Sequence, residues 1–345
     1  MKKRVMIVAE ISANHGHDID VVKRTMLKAK EIGCDAVKIQ TYRPDTITLD
    51  CDNEYFQINN GTIWDGTTLY SLYNEAFLPW EWHEELFDFA KKNDILLFST
   101  PFDNTAIDLL EKCNNPIYKI ASFEITDIPL IEQAASKQKP MIISTGIAME
   151  DEIKEAVAAC RRNGNEDITL LKCTSQYPAK IADANLLTMT DMKRRFGCKV
   201  GVSDHTEGDI VPVTAVALGA EVIEKHFILD REIGGPDASF SMEPYGFKLM
   251  IDRVRAAEEA IGVIDYSLSE GKKNSRRYAR SLFISEDVKK GDSITADNVK
   301  SVRPSDGMSP KYYRNVLGQK FATDAKYGTP LTDELIEWSE KTDEH

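Results

Sequence analysis

The segment Val222-Ile-Glu-Lys-His226 decides the fold, because it joins a short β-branched run, typical of a buried strand, to ionisable residues at its end. The same arrangement recurs in Val200-Gly-Val-Ser-Asp-His205 and in Ala36-Val-Lys-Ile-Gln40. In a (β/α)8 barrel the C-terminal ends of all strands meet on one face, so groups distant in sequence converge there. The repetition therefore favours a (β/α)8 barrel with a functional site on that face.

Strand and helix patterns alternate along the chain. Eight apolar segments predict strands, which begin near Val5, Ala36, Ile95, Ile117, Met141, Ile168, Val200 and Glu221. Apolar residues three or four apart predict helices at Val21–Ile32, Glu81–Lys92, Asn104–Lys112, Asp127–Ser136, Glu150–Arg161, Asn185–Phe196, Asp209–Leu218 and Pro244–Ile261. Eight alternations favour a closed barrel. An open doubly wound sheet stays an alternative, since periodicity shows alternation and does not show closure.

One connection is unusually long. About 35 residues, from Arg43 to Leu78, separate the second strand from its helix. Long insertions on the C-terminal face of a barrel usually shape the substrate pocket, so we predict that this loop does so. A surface excursion without a role in binding is the alternative.

The character of the sequence changes after Ile261. The charged stretch 269–280 has few large apolar residues and predicts a linker. The segment 281–338 contains short strand-like pieces at Ser281–Ile284 and Val299–Val302, with turn signals between them. We predict a barrel at 1–265, a linker at 266–280 and a small β-rich domain at 281–340.

Composition excludes several classes of protein. A net charge of −13 argues against a nucleic-acid surface, which needs clustered uncompensated Lys and Arg. No apolar run approaches the roughly 18 residues of a membrane span, so we expect no membrane segment. Six scattered cysteines without a C-x-x-C pair predict reduced thiols in a cytoplasmic protein, and no structural zinc.

Two histidines predict a metal site. His205 and His226 end the seventh and eighth predicted strands, and adjacent strands lie about 4.8 Å apart. Two imidazoles at matching heights could therefore share one divalent ion, with Glu10 and Asp237 as possible oxygen ligands. This donor set suits Mn²⁺, Co²⁺ or Zn²⁺, and Mg²⁺ less naturally. Purely structural histidines are the alternative.

Lysines near the same strand ends predict an anionic ligand. Lys38 and Gln40 leave strand two on one side, and Lys119 lies in strand four. A buried unpaired lysine is costly, so these side chains need either local carboxylates or a ligand phosphate. Further donors near strand ends are Ser122, Ser144 and Thr145-Gly146.

Other ionisable groups at strand ends leave their roles open. Glu10 and Glu124 could act as acid, base or ion partner to the lysines. Lys172 ends strand six within Lys172-Cys-Thr-Ser-Gln-Tyr-Pro178 and could form a Schiff base, as in barrel aldolases. A single lysine is weak support for that alternative.

Motifs in order along the chain resemble the sialic acid synthase family over nearly its whole length. The barrel motifs are Ala9-Glu-Ile-Ser-Ala-Asn-His15, Val37-Lys-Ile-Gln-Thr-Tyr42, Ser99-Thr-Pro-Phe-Asp103, Lys119-Ile-Ala-Ser-Phe-Glu124, Ser144-Thr-Gly146, Ser203-Asp-His-Thr206, Glu224-Lys-His-Phe227 and Gly235-Pro-Asp237. The tail motifs Ala279-Arg-Ser281 and Val302-Arg-Pro-Ser-Asp-Gly-Met308 are similar to the family's C-terminal antifreeze-like (SAF) domain. The resemblance implies a barrel followed by a small SAF domain.

The resemblance also implies an activity, the condensation of phosphoenolpyruvate with the open-chain aldehyde of an N-acylated amino sugar. His205 and His226 would hold a divalent metal, typically Mn²⁺, with Co²⁺ or Mg²⁺ possible, and Glu10 would orient or activate water. The residues implied for phosphate and carboxylate binding are Lys38, Gln40, Thr100, Lys119, Ser122 and Ser144. The residues implied for sugar contact or ordering of the site are Glu124, Lys172, Ser175, Tyr177 and Asp237. In the family the SAF domain is swapped between the chains of a homodimer, which would make Arg303 a sugar ligand supplied in trans.

Departures from the N-acetylneuraminate branch indicate the substrate. Lys172-Cys-Thr-Ser175, the insertion 63–73 and Pro79-Trp-Glu-Trp82 are similar to the pseudaminate branch. The acceptor of that branch is 2,4-diacetamido-2,4,6-trideoxy-L-altrose, and an aromatic-rich loop suits so weakly polar a sugar. The nearest alternatives are synthases of N-acetylneuraminate or legionaminate. A Schiff-base aldolase using Lys172, or a carbohydrate-binding module on an inert barrel, are the alternatives from other classes.

Overall fold

Eight parallel strands form a closed barrel, in which each strand pairs with the next and β8 pairs with β1. The strands are β1 (Met6–Glu10), β2 (Ala36–Thr41), β3 (Leu97–Pro101), β4 (Tyr118–Ile120), β5 (Met141–Ser144), β6 (Ile168–Cys173), β7 (Lys199–Asp204) and β8 (Val222–His226). The pairing of β1 with β8 confirms the (β/α)8 barrel and excludes the open sheet. The structure is a computed structural model that describes residues 4–59 and 61–339.

Helices surround the barrel. They are α1 (Ile19–Ile32), α2 (Pro44–Ile47), α3 (Leu69–Ala76), α4 (His83–Lys92), α5 (Asn104–Lys112), α6 (Ile128–Ser136), α7 (Glu150–Arg162), α8 (Leu187–Phe196), α9 (Ile210–Ala217) and α10 (Pro244–Ile261). Helix α1 shows why they form. The Asp18 side chain caps its first turn, Gly33 ends it at φ 99°, and its apolar stripe, which includes Met26, is buried. Among the described residues, no helix is long and apolar enough to cross a membrane.

The barrel interior consists of an apolar layer beneath a polar layer. The apolar layer is Val8, Ala36, Phe98, Ile117, Ile142, Leu171 and Val222, all buried. Two residues further along the same strands lie Glu10, Lys38, Thr100, Lys119, Ser144, Cys173 and Glu224, which are also buried. Side chains two apart on a strand lie on the same face, so the polar residues stand above the apolar ones, towards the C-terminal ends. The fold thereby collects the chemistry of seven strands in one layer.

The long connection after β2 contains two short helices, α2 and α3, where the sequence predicted only a loop. Leu69, Leu72, Tyr73 and Ala76 have the spacing of an apolar helix face, so α3 did have a signal in the sequence, although none of its residues is completely buried. Its first turn is capped by the side chain of Thr68, which accepts a hydrogen bond from the backbone N–H of Ser71 at 3.2 Å.

The chain divides into two compact units, Met1–Gly262 and Val263–His345. The second unit contains helix α11 (Glu270–Arg276) within the segment predicted as a linker, and every residue from 261 to 280 is exposed. Its remaining elements are β9 (Ser281–Ile284), β10 (Val299–Val302), α12 (Tyr313–Val316), β11 (Lys320–Phe321) and β12 (Ile336–Glu337). Strand β9 pairs with β10, and β11 pairs with β12, in antiparallel fashion. The predicted last residue of this domain, 340, lies outside the described residues.

Candidate active site

Two lysines and two glutamates form an ion network in the polar layer. Lys38 forms an ion pair with Glu10, and its Nζ lies 3.7 Å from Oε1 of Glu224. Lys119 Nζ lies 3.6 Å from the same oxygen of Glu224. Because all four side chains are buried, each charge depends on the others for compensation. The structure therefore brings together Lys38, Lys119 and Glu10, as the sequence predicted, with Glu224 as an additional member.

Burial shifts the pKa values of Glu10 and Lys119 towards the neutral forms of both groups. Burial raises the pKa of Glu10 to about 7, although Lys38 opposes that effect. Burial also lowers the pKa of Lys119, and Glu224 opposes it. A negative charge bound beside Lys119 would favour the charged form of this lysine. Such a site favours an anionic ligand.

Gln40 and Thr100 orient the charged groups. The Nε2 atom of Gln40 donates to Glu10 Oε1 at 3.3 Å and to Ser12 Oγ at 2.9 Å. Lys38 Nζ donates to Thr100 Oγ1 at 3.1 Å. Gln40 and Thr100, which the family resemblance implied for phosphate and carboxylate binding, therefore contact the ion network. Gln40 fixes the carboxylate of Glu10.

Small residues at or just after the ends of β4, β5 and β6 form a cradle, and we refer to Ser122, Ser144, Gly146 and Ser175 as the serine cradle. The backbone N–H of Gly146 donates to Ser122 Oγ at 3.1 Å, and Ser144 Oγ is buried without a hydrogen-bond partner. A Cβ added at Gly146 would overlap the hydroxyl of Ser175. Hydroxyl groups and a close backbone approach suit a phosphate or carboxylate ligand.

His205 and His226 lie together at the ends of β7 and β8, with ring centroids 5.2 Å apart. His205 Nδ1 donates to the carbonyl oxygen of Thr174 at 3.0 Å, so the neutral ring keeps its lone pair on Nε2. Burial lowers the pKa of His226 well below its usual value, which keeps the ring neutral. Burial also lowers the pKa of His205, but Cys173 opposes burial and the net shift is upward. Because neutral imidazoles are the form that binds metal ions, an ion held by both rings would have to displace a proton from His205.

The donor set fits a metal ion with open coordination positions. His226 Nδ1 is buried without a hydrogen-bond partner, and Oδ2 of Asp237 lies 3.7 Å from it. Glu10, the other predicted oxygen ligand, is engaged by Lys38 and Gln40. Across residues 4–59 and 61–339 there is no group of three or more His, Cys, Asp or Glu side chains arranged to hold an ion. Water or substrate would therefore complete the coordination sphere.

Glu124 lies in a short turn, Ser122–Glu124, directly after β4. Burial raises its pKa to about 7, and Lys119 opposes that effect. Its Oε2 atom is buried without a hydrogen-bond partner. A carboxyl group with these properties can exchange a proton with a substrate near neutral pH.

An aromatic cluster of Trp64, Tyr177 and Phe240 packs beside the histidine pair. The ring of Tyr177 lies 4.3 Å from that of His205, and the ring of Phe240 lies 5.0 Å from that of His226. Trp64, from the loop after β2, lies 5.5 Å from Tyr177 and 6.5 Å from Phe240. The loop after β2 therefore reaches the site, as the sequence predicted.

The structure does not bring Lys172 into the polar layer. Lys172 alternates with Leu171 and Cys173, which belong to the barrel interior, so it lies on the other face of β6. It lines a cavity of about 10 Å³ with Ala184, Val202 and His205, and its Nζ donates to the carbonyl oxygen of Cys173 at 2.7 Å. A space of this size holds about one water molecule, so it offers no room for a Schiff-base substrate.

Arg303 follows β10 in the second compact unit and is exposed. The sequence had identified it only through the family resemblance, and its role in sugar binding stays a prediction.

Several residues of the site were missed from the sequence. Glu224 and Cys173 had an available signal, because each lies two residues beyond an apolar residue of the inner face, Val222 or Leu171. Phe240 had none, since it lies in the irregular segment between β8 and α10.

Comparison with known proteins covers both units. Residues 25–266 match the NeuB family and residues 279–337 match the SAF domain. The chain is 48% identical to the pseudaminic acid synthase of Helicobacter pylori. The alignment covers 96% of this chain and 98% of that protein. It is 45% identical to a pseudaminic acid synthase of Campylobacter jejuni, with 95% of this chain and 96% of that protein covered.

The fold is similar to that of a solved structure. The N-acetylneuraminic acid synthetase of Leptospira borgpetersenii, crystallised with citrate, aligns with a TM-score of 0.69 at 30% identity. The alignment covers 79% of this chain and 90% of that one. Similarity to known proteins thus extends over nearly the full length of the chain.

Proposed function

The chain belongs to the NeuB family, and from this membership we propose that it condenses phosphoenolpyruvate with 2,4-diacetamido-2,4,6-trideoxy-L-altrose and water to give pseudaminate and phosphate. The observation that carries the choice of substrate is the near full-length similarity to two pseudaminic acid synthases. N-acetylneuraminate and legionaminate synthesis are the alternatives that the same fold allows.

Phosphoenolpyruvate would bind in the polar layer. Its phosphate and carboxylate require cations and hydroxyl donors, which Lys38, Lys119 and the serine cradle supply. Thr100 and Gln40 hold Lys38 and Glu10 in place through their hydrogen bonds. The ion network already fixes both lysines, so little side-chain entropy is lost when the anion binds.

The reaction joins C3 of phosphoenolpyruvate to the aldehyde carbon of the sugar, and a water molecule adds at C2. Glu10 would accept the proton of this water, since its pKa of about 7 suits a base near neutral pH. Glu124 would supply a proton to the aldehyde oxygen as the new bond forms. The C–O bond between C2 and the phosphate oxygen then breaks, and the remaining proton of the added water leaves with the phosphate, which gives the 2-keto acid.

His205 and His226 would hold a divalent ion, which we propose to be Mn²⁺, with Co²⁺ or Mg²⁺ as alternatives. The ion, when bound, polarises the aldehyde towards attack. Tyr177 packs against His205, and Asp237 lies next to His226, so both residues order the pair. Tyr177 and Asp237 would also contact the sugar, and so would Ser175 from the serine cradle. For Lys172 we propose an indirect role in shaping the turn after β6, through its bond to the Cys173 carbonyl.

For the assembly we propose a cytoplasmic homodimer in which the SAF domains are exchanged and Arg303 of the second chain binds the sugar. The support is the resemblance to the family together with the SAF match. Light scattering gives the oligomeric state, and Arg303→Ala should raise the KM for the sugar without changing the KM for phosphoenolpyruvate. A monomer with full activity would contradict this assembly.

The test of the function is turnover with defined acceptors. The protein is incubated with phosphoenolpyruvate, Mn²⁺ and either the altrose acceptor, N-acetylmannosamine or the legionaminate acceptor, while phosphate release and product mass are measured. We expect turnover with the altrose acceptor, and turnover with N-acetylmannosamine alone would refute the proposal. Phosphoenolpyruvate labelled with ¹⁸O at the bridging oxygen should give labelled phosphate.

Borohydride trapping of a protein adduct, with activity that survives EDTA, would favour the aldolase alternative. Sugar binding without turnover of any acceptor would favour a binding module.

A further inference from the structure

A second cavity lies on the C-terminal face of the barrel, between the loop after β2 and the loop after β8. Its volume is about 440 Å³, which is large enough for part of a sugar derivative. Trp64 and Leu72 come from the first loop, and Gly235 and Pro236 come from the second. The two loops are tied together, because the indole N–H of Trp64 donates to the carbonyl oxygen of Pro236 at 3.0 Å.

The lining of this cavity does not suit an anion. It contains Asp65 and Glu75 and includes no lysine, arginine or histidine among its described residues. Ile63, Trp64 and Leu72 supply the apolar part of the lining, which we refer to as the apolar wall. The carboxylate of Asp65 already accepts hydrogen bonds from the backbone of Gly61 and Thr62. A neutral group with both methyl and N–H functions would match this lining, since the carboxylate of Glu75 can accept the N–H and the apolar wall can contact the methyl.

Ring contacts through Tyr177 connect the cavity to the histidine pair. Trp64 lines the cavity and its ring lies 5.5 Å from Tyr177, whose ring lies 4.3 Å from His205. An extended six-carbon chain spans ~6 Å, from five C–C bonds of about 1.5 Å. Substituents at C4 and C6 extend this reach, so an aldehyde at the histidine pair would direct the distal substituents of the sugar towards Trp64.

Two histidines of the loop after β1 hold helix α3, which carries part of the apolar wall. His17 Nε2 donates to the carbonyl oxygen of Glu75 at 2.8 Å, and His15 Nε2 donates to that of Ala76 at 3.2 Å. Both carbonyls belong to the last turn of α3, which carries Leu72. The loop after β1 thus fixes the cavity wall, so the cavity is pre-formed.

We propose that this cavity is the subsite for the distal end of the acceptor, its 4-acetamido group and its C6 methyl, and that Trp64 determines the specificity for them. This inference rests on the proposed function, and it adds to it the residues that would distinguish a 2,4-diacetamido-6-deoxy sugar from a hexose with hydroxyls at C4 and C6. Trp64 is a specificity residue here, because it contacts the part of the sugar that does not react.

The test compares KM values for the two substrates. In Trp64→Ala we expect the KM for the altrose acceptor to rise about tenfold or more, while the KM for phosphoenolpyruvate stays within about twofold. Trp64→Phe should recover part of the loss, because it keeps a ring beside Tyr177. Glu75→Gln, which leaves the aromatic cluster intact, should raise the acceptor KM about threefold or more. Tyr55→Ala is the matched control, since Tyr55 belongs to the same loop, is 79% exposed and does not line the cavity.

A second measurement uses the analogue with a hydroxyl in place of the 4-acetamido group. Wild-type protein should prefer the diacetamido sugar, and Trp64→Ala should reduce that preference. An unchanged acceptor KM in both cavity variants, or an equal rise in both KM values, would overturn the subsite while leaving the proposed function intact. A wild-type protein without turnover of the altrose acceptor would overturn the proposed function, and the subsite with it.

Discussion

Lys119 and Glu224 form an ion pair across the interior of the barrel, with Nζ and Oε1 3.6 Å apart. They belong to β4 and β8, which lie on opposite sides of the ring of eight strands. The same oxygen of Glu224 lies 3.7 Å from Lys38 Nζ, so one carboxylate holds two lysines in place. The cations that would bind phosphoenolpyruvate are therefore positioned before any ligand arrives.

Replacing Glu224 by Gln should destabilise the protein, because it leaves two buried lysines with Glu10 as their remaining carboxylate partner. We expect the free energy of unfolding to fall by about 3–5 kcal/mol, measured by urea denaturation. Phosphoenolpyruvate should restore part of the loss, since its charge replaces that of Glu224. Glu232→Gln, at an exposed position, should change stability by no more than about 0.5 kcal/mol. Equal stability of the two variants would refute the network.

Replacing Gly146 by Ala should weaken phosphoenolpyruvate binding. The added Cβ would overlap the hydroxyl of Ser175 and lie 2.8 Å from that of Ser122, so the serine cradle would have to open. We expect the KM for phosphoenolpyruvate to rise about tenfold or more, with a smaller change in the KM for the sugar. Gly271→Ala is the control, because a Cβ there meets nothing within 4 Å. Unchanged phosphoenolpyruvate kinetics in Gly146→Ala would mean that the anion binds elsewhere.

The strands of the fold could be predicted because their positions and the alternation of their side chains both follow from local sequence. The predicted strand starts at Ala36, Met141 and Ile168 coincide with the observed ones, and the others lie within two residues. Periodicity of two then places residues such as Lys38 on the inner face. The closure of the barrel is a long-range property, and only the pairing of β1 with β8 shows it.

The site was predicted less completely, for two physical reasons. Lys172 was included because it ends a strand, although its position next to Cys173 places it on the opposite face. Phe240 was missed because no periodicity governs an irregular loop, and its contact with His226 follows from tertiary structure alone. A position at a strand end identifies candidate site residues. The alternation of side chains along the strand then decides which of them face the barrel interior.

The face of β6 on which Lys172 lies also predicts the effect of replacing this residue by Met. Because Lys172 lies outside the polar layer, the variant should keep its KM for phosphoenolpyruvate within about threefold and should remain dependent on metal. Lys119→Met, a buried lysine inside the barrel, is the matched comparison and should lose activity by about a hundredfold or more. The measurement is phosphate release. Loss of all activity in Lys172→Met, with the fold intact by circular dichroism, would support a direct role of Lys172 as a substrate ligand or as a Schiff-base amine.

The raised pKa of Glu124 predicts a dependence of stability on pH. Burial raises its pKa from 4.5 to about 7, so the folded state binds the proton more tightly than the unfolded state. The resulting stabilisation is present below about pH 4.5 and is lost as the pH rises through 7. Glu124→Gln cannot ionise, so it should gain about 1–3 kcal/mol relative to wild type between pH 5 and pH 8. Urea denaturation at both pH values measures this gain, and a constant difference would contradict it.

The histidine pair makes the most direct prediction about metal dependence. In His205→Ala and His226→Ala we expect kcat to fall by more than about a hundredfold, because each variant removes one of two imidazoles whose rings lie 5.2 Å apart. Mn²⁺ binding, measured by calorimetry after EDTA treatment, should be lost together with the activity. His83→Gln tests a different buried histidine, one whose Nε2 hydrogen-bonds to Thr41 Oγ1 at 2.8 Å. It should lower stability and still bind Mn²⁺, whereas full activity in either alanine variant would show that the pair does not hold the metal.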